Sequence, residues 1–250
     1  MVVGRRTDVK VRHEIGLAVP TSGDRRRTIG DMAEPPVGHQ ARSRSTIRAL
    51  IEATNRELAE RGEAGFRLDQ VLQETGTSKS SLYHHFTSRD GLIEAATVVA
   101  FRAEIEGDIE GIRAALAGAA DSTELITRVE ALTRAAQSPA RAAQRRQRLR
   151  ILGSAVNRPG LADALGHEQR RLTDELATHI RDAQQRGVAQ RGHDARTIAT
   201  FVLAFMFGRV LGDLDESPVD TEAWTSLVTD VVRVLVSSPP TTERGLRSDA

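Results

Sequence analysis

Between Ser78 and Phe86 the chain sets out a row of hydrogen-bonding side chains: Lys79, Ser80, Ser81, Tyr83, His84 and His85, with Arg67 and Arg89 on either side. An ammonium group donates to guanine O6 and N7, and serine hydroxyls pair with several base edges. Guanidinium groups suit phosphate. Catalytic chemistry has no comparable set. The only histidines that neighbour each other are His84 and His85, inside this row, and His167 and His179 lie twelve residues apart, roughly 120° around a helix. No glycine-rich phosphate loop and no Gly-x-Ser-x-Gly elbow is present. Neither an enzyme, a metal site nor a cofactor is expected.

Two short helices are needed to present that row. Leu68, Val71, Leu72 and Thr75 share one face at helical spacing. Gly76 stops the helix, because glycine accepts the positive φ of a sharp exit. Thr77 or Ser78 caps a second helix in which Leu82 and Phe86, four apart, point back at the first. All six polar residues of the row are then expected on the outside. Helix, glycine turn, helix is the pattern whose second helix enters the DNA major groove.

Thr75-Gly76-Thr77-Ser78, Leu82-Tyr83-His84-His85-Phe86 and Ser88-Arg89-Asp90-Gly91-Leu92 together resemble the DNA-binding domain of the TetR family of bacterial transcriptional regulators. Three residues depart from that pattern: Leu72 stands for a usual alanine, Ser80 for a glycine, and Arg67 for a threonine that touches phosphate. The resemblance implies an all-α, homodimeric, cytoplasmic regulator of double-stranded operator DNA, a repressor by expectation with an activator left open. It assigns Lys79, Ser80, Ser81, Tyr83 and His84 to base edges or close backbone contacts, near the capping pair Thr77 and Ser78. It assigns Arg67, Tyr83, His85 and Arg89 to phosphates, with Arg42 and Arg44 gripping the backbone just before the first helix. The alternative is a helical small-molecule-binding or scaffold protein that no longer binds DNA.

The 250 residues suffice for two modest domains, and the absence of cysteine rules out a disulfide framework. Net charge is +1; residues 1–91 hold 15 Lys/Arg against 12 Asp/Glu, and residues 92–250 hold 20 against 22. DNA affinity therefore needs local placement of cations, not a global field. No unbroken apolar run nears the ~18 residues of a membrane span, so no membrane partner is expected.

Four segments follow. Residues 1–41, with Arg5-Arg6 and Arg25-Arg26-Arg27, read as a disordered basic arm or a passive tail. Residues 42–91 form the helix-turn-helix domain, whose first helix, Ser45 to Arg61, carries Ile47, Leu50, Ile51, Leu58 and Ala59. Residues 92–236 form a helical regulatory and dimerisation domain, and residues 237–250 a disordered tail. Within the third segment, Asp121-x-x-Glu124 is a capping-box variant, and Pro139 opens a helix whose arginines, 141 to 150, read as a solvated face.

The resemblance places a small-molecule effector between the middle helices of this segment. Phe101, Ile105, Leu132, Leu152, Leu176 and Phe205 suit such a pocket or a plain core, and with 3% aromatic residues a hydrophobic or acyl-like ligand is expected. The last two helices are the most apolar. Their stripes must pack against something, and the resemblance implies that Phe201, Met206 and Val210 on one, and Trp224, Leu227, Val228, Val231, Val232 and Leu235 on the other, form a four-helix dimer interface, the alternative being a core within one chain.

Overall fold

The computed structural model describes residues 37–217 and 219–237, and among them there is no strand. The helices are α1 (Val37–Arg61), α2 (Leu68–Thr75), α3 (Lys79–Phe86), α4 (Arg89–Leu116), α5 (Ser122–Gln137), α6 (Ala142–Ser154), α7 (Pro159–Gln185), α8 (Ala195–Gly212) and α9 (Thr221–Ser237). A single 3-10 turn, Pro139–Arg141, precedes α6. Most of the expected arm and nearly all of the expected tail lie outside the described residues. Two compact units divide between Arg102 and Ala103, inside α4. The division falls later than the expected 91/92 because Leu92, Ile93 and Ala96 are buried in the same core as α1, α2 and α3.

In the first unit, α1 starts at Val37, eight residues before the expected start, so Arg42 and Arg44 lie within the helix. No glycine or proline between 39 and 45 would stop it earlier. Ile47, Leu50 and Ile51 are buried as their spacing requires, but Ala59 is exposed and Glu57 takes the inward place. Gly76 adopts the left-handed conformation (φ 62°, ψ 21°) that ends α2. Ser78 then caps α3, its Oγ accepting the Ser81 N–H at 3.1 Å.

The exit from α3 is tight. Thr87 has φ 63° and ψ −39°, and the Ser88 N–H donates to the Phe86 carbonyl at 2.6 Å, a three-residue γ-turn. Ser88 Oγ accepts the Gly91 N–H at 2.9 Å and starts α4. Any Cβ at position 91 would collide with the Phe86 carbonyl oxygen. The turn therefore requires glycine at 91 and holds a β-branched residue at positive φ, a strained placement.

In the second unit, α5 packs on α9, α7 on α8, and α6 on α8. Asp121 caps α5, accepting the Glu124 N–H at 2.8 Å, while Glu124 accepts the Ala120 N–H at 2.7 Å. The arginine-rich helix is not simply a solvated face. Arg145 makes a bidentate pair with Asp213 at 2.6 and 2.7 Å, and Arg148 reaches Asp108 at 2.7 Å and Glu104 at 3.3 Å. Burial of these carboxylates between helices is what draws the two arginines inward. With two charges in its 18 residues, α8 is long and apolar enough by length and composition to cross a membrane, and only 22% of it is buried.

Two predictions follow from these contacts. Thr87→Gly should raise stability by about 1 kcal/mol by relieving the positive φ, and Gly91→Ala should lower it, as read from urea midpoints; a destabilised Thr87→Gly would show that the threonine is unstrained. The second concerns Asp213, whose carboxyl Arg145 holds below the ordinary range. That contribution is complete above about pH 4 and is lost as pH falls through the depressed value. Asp213→Asn should therefore cost about 3 kcal/mol at pH 7 and much less near pH 2. An equal loss at both pH values would assign the effect to packing instead of charge.

Candidate nucleic-acid interface and interior cavity

Eight residues of helix are too few to persist alone in water, so α3 is held by what it buries. Leu82 is fully buried and Phe86 nearly so, in the core formed with Leu50, Val71 and Leu92. Lys79, Ser80, Tyr83 and His84 then lie exposed on the opposite side, with Ser81 half-buried at its edge. Tyr83 is the large ring of the set left open, at 47%. Thr77 is half-buried and Ser78 exposed, its hydroxyl oxygen occupied by the cap.

His85 is a correction. It is buried, not outside, because it sits three residues after Leu82 and shares that inner face. Its ring meets His84 edge-on at 5.2 Å and Phe86 at 6.4 Å.

The cations around α3 are engaged within the unit. Lys79 pairs with Asp69 of α2 at 3.0 Å, and that hydrogen bond and charge raise the pKa of its ammonium. The Arg67 Nε lies 3.5 Å from Glu57 Oε1, and the Arg67 backbone N–H donates to the same oxygen at 3.3 Å. Arg61 reaches that oxygen at 3.1 Å. Glu57 thus ties α1 to the start of α2, a role the sequence reading missed although it lies seven residues after Leu50 on the inner face. Arg89 donates to the Glu63 carbonyl at 3.2 Å, and its guanidinium sits 5.1 Å from the centre of the Phe66 ring. That arginine braces the turn before α2. Arg42 and Arg44 are exposed on α1.

The second unit contains a partly open cavity of about 550 Å³, within the range of small-molecule sites. Leu132, Leu152, Leu176 and Phe205 line it, as do Gly107, Ile112 and Leu116 of α4. Phe101 and Ile105 are fully buried but are not part of its wall. Its polar wall includes Gln137, Arg145, Arg148 and His179.

The apolar stripe of α9 divides between two faces. Val228 and Val232 are buried, with α9 packed on α5 of the same chain, and Val210 of α8 is buried too, so these three add little area to a contact between copies. Met206 and Val232 line the cavity, Trp224 lies 5.7 Å from the Arg209 guanidinium, and Val231 is half-buried. Phe201 (50%), Leu227 (60%) and also Leu211 (72%) and Val234 (63%) stand exposed. The Leu235 side chain lies outside the described residues.

Residues 50–96 match the family model described as bacterial regulatory proteins, tetR family. The chain is 23% identical over 184 residues to the HTH-type transcriptional regulator UidR of Escherichia coli, covering 74% of this chain and 89% of that one. In fold it is similar to Salmonella enterica GusR (21% identity, TM-score 0.56, 77% of this chain and 95% of that one). It is equally similar to a candidate regulator from Saccharomonospora viridis in complex with choline (22%, TM-score 0.57, 77% and 97%). The matched segment spans the whole helix-turn-helix whose geometry is described above, and together these likenesses support a transcriptional regulator similar to those of the TetR family.

Proposed function

We propose that this regulator is a cytoplasmic repressor that binds operator DNA as a homodimer and responds to a small molecule in the cavity of its second unit. The observation that carries the DNA-reading part is the outward row Lys79, Ser80, Tyr83 and His84 on a helix anchored from behind by Leu82 and Phe86. A helix so anchored presents its donors at fixed spacing to a groove. Lys79 serves base edges once it leaves Asp69, Tyr83 serves phosphate, and Arg42 and Arg44 supply further phosphate contacts. Arg89 and Arg67 act chiefly by bracing the domain, since both are engaged with it.

Homodimerisation is supported by the exposed residues of α8 and α9. Phe201, Ala204 and Leu211, with the half-buried Gly208, recur at helical spacing on one face, and Leu227 and Val234 on another. Such a surface on an 18-residue helix only 22% buried needs a cover. A second copy supplies one, and with it the second reading head that a two-fold operator requires. The choline bound by the neighbour from Saccharomonospora viridis and the apolar cavity of this chain favour a small-molecule effector. Helix α4 contributes both to the DNA-binding core and to the cavity wall. An effector shifts DNA affinity only by its difference in affinity between the competent and incompetent states.

In fluorescence-anisotropy titrations with cognate and scrambled duplexes, Lys79→Ala should narrow the gap between the two by about tenfold or more. Arg42→Ala should weaken both alike and reduce the salt slope by about one. Identical behaviour of the two variants would overturn the assignment of roles. In sedimentation, Leu227→Glu should convert the dimer to a monomer while helix content is kept, because it places an unpaired charge in an apolar contact. A dimer that survives both Leu227→Glu and Phe201→Glu would place the interface elsewhere.

A further inference from the structure

The wall of the cavity carries three arginines, Arg141, Arg145 and Arg148, which at first suggests an anion site. Their partners say otherwise. Arg145 donates Nε and Nη2 to the two oxygens of Asp213, and Nη1 to the Ala136 and Ser138 carbonyls at 3.0 and 3.2 Å. Four of its five N–H donors are thereby used, and the Asp213 carboxylate balances its charge. Arg148 is clasped between Glu104 and Asp108, and Arg141 approaches Asp108 at 3.8 Å. Three cations thus face three carboxylates, Asp108, Asp213 and Glu104, and the wall as a whole carries no uncompensated charge. A charged ligand entering this space would lose its hydration and gain no counter-ion.

Apart from the ion-paired Arg148, two buried atoms of wall residues lack a hydrogen bond, Gln137 Oε1 and His179 Nε2, and the second lies 3.3 Å from the Glu175 carboxylate. Gln137 is 1% exposed, and its Oε1 is buried without a hydrogen bond. The amide cannot be turned to relieve this. Its Nε2 faces the Met206 carbonyl oxygen at 3.4 Å and the Met206 Sδ at 3.1 Å, both acceptors, so the NH2 must stay on that side. A buried acceptor left unmade is costly, and a bound donor would satisfy it. Most of the remaining wall is aliphatic or aromatic, with Leu132, Leu172, Leu176, Ile198, Val202 and Phe205, interrupted by neutral polar side chains such as Thr133 and Thr173.

We infer that the effector is an uncharged, largely apolar small molecule whose hydroxyl or amide N–H donates to Gln137 Oε1. This rests on the reading of the cavity as the effector site. It narrows the expectation of a hydrophobic or acyl-like ligand by excluding a free carboxylate, and it separates this chain from the choline-bound neighbour, whose ligand is a cation.

The test uses the full chain and four probes of similar length in isothermal titration at pH 7.5: 1-decanol, methyl nonyl ether, decanoate and decyltrimethylammonium. Decanol should bind most tightly, and both ions at least about tenfold more weakly. Gln137→Leu should weaken decanol by about tenfold and leave the ether unchanged, which a general loss of folding would not do. Decanoate or the ammonium binding as well as decanol would overturn the neutral class while leaving the cavity as a binding site. Equal decanol affinity in Gln137→Leu would remove Gln137 from the account. Failure of all four probes to bind would overturn the cavity reading itself, and this inference with it.

Discussion

The reading helix has no stability of its own. At eight residues α3 falls short of what an isolated helix needs, and its exposed face of lysine, serine, tyrosine and histidine contributes nothing to holding it. Its place is fixed by Leu82 and Phe86 in a core shared with α1, α2 and the first turns of α4. Full burial of a leucine is worth about 2 kcal/mol, several times less than the cost of ordering an eight-residue segment, so α3 persists only as part of the shared core. The constraints around it are consequences of that arrangement. Gly76 turns the chain so that both helices bury the same core, Glu57 fastens the start of α2 to α1, and Gly91 lets α4 begin against the Phe86 carbonyl.

How much of this was legible in the sequence depends on the range of the interaction. The Gly76 turn, the Ser78 cap, the Leu82–Phe86 pair and the Asp121 cap are set by residues within four positions of each other, and the sequence places them where the structure has them. His85 is buried although its polar character points outward, because three residues after Leu82 it falls on the inner face. Glu57 and Arg145 were out of reach. Their positions depend on partners ten and 68 residues away, Arg67 and Asp213, and a charged residue reads as solvated until its counter-charge is seen.

The second unit shows the same division. The spacing on α9 marks a face that must pack, but periodicity does not say against what. Val228 and Val232 turn to the inside of their own chain, whereas Leu227 and Val234, one or two positions along, stand in solvent. A helix with apolar residues on both sides serves an internal core and an external contact together. On α8 the inner side holds Met206, which lines the cavity, and the outer side holds Phe201 and Leu211. Cavity wall and outer face are therefore carried by one helix, so a ligand that shifts α8 also bears on any contact made through it.

The central claim is that the α3 surface reads one DNA sequence. The most direct measurement is a mobility-shift titration of the full chain with the DNA upstream of its own coding region, at two salt concentrations, beside a scrambled duplex of equal length. The account predicts a shift specific to the upstream DNA that weakens steeply as salt rises, because phosphate contacts accompany the base contacts. Equal affinity for the upstream and scrambled duplexes at both salt concentrations would contradict it.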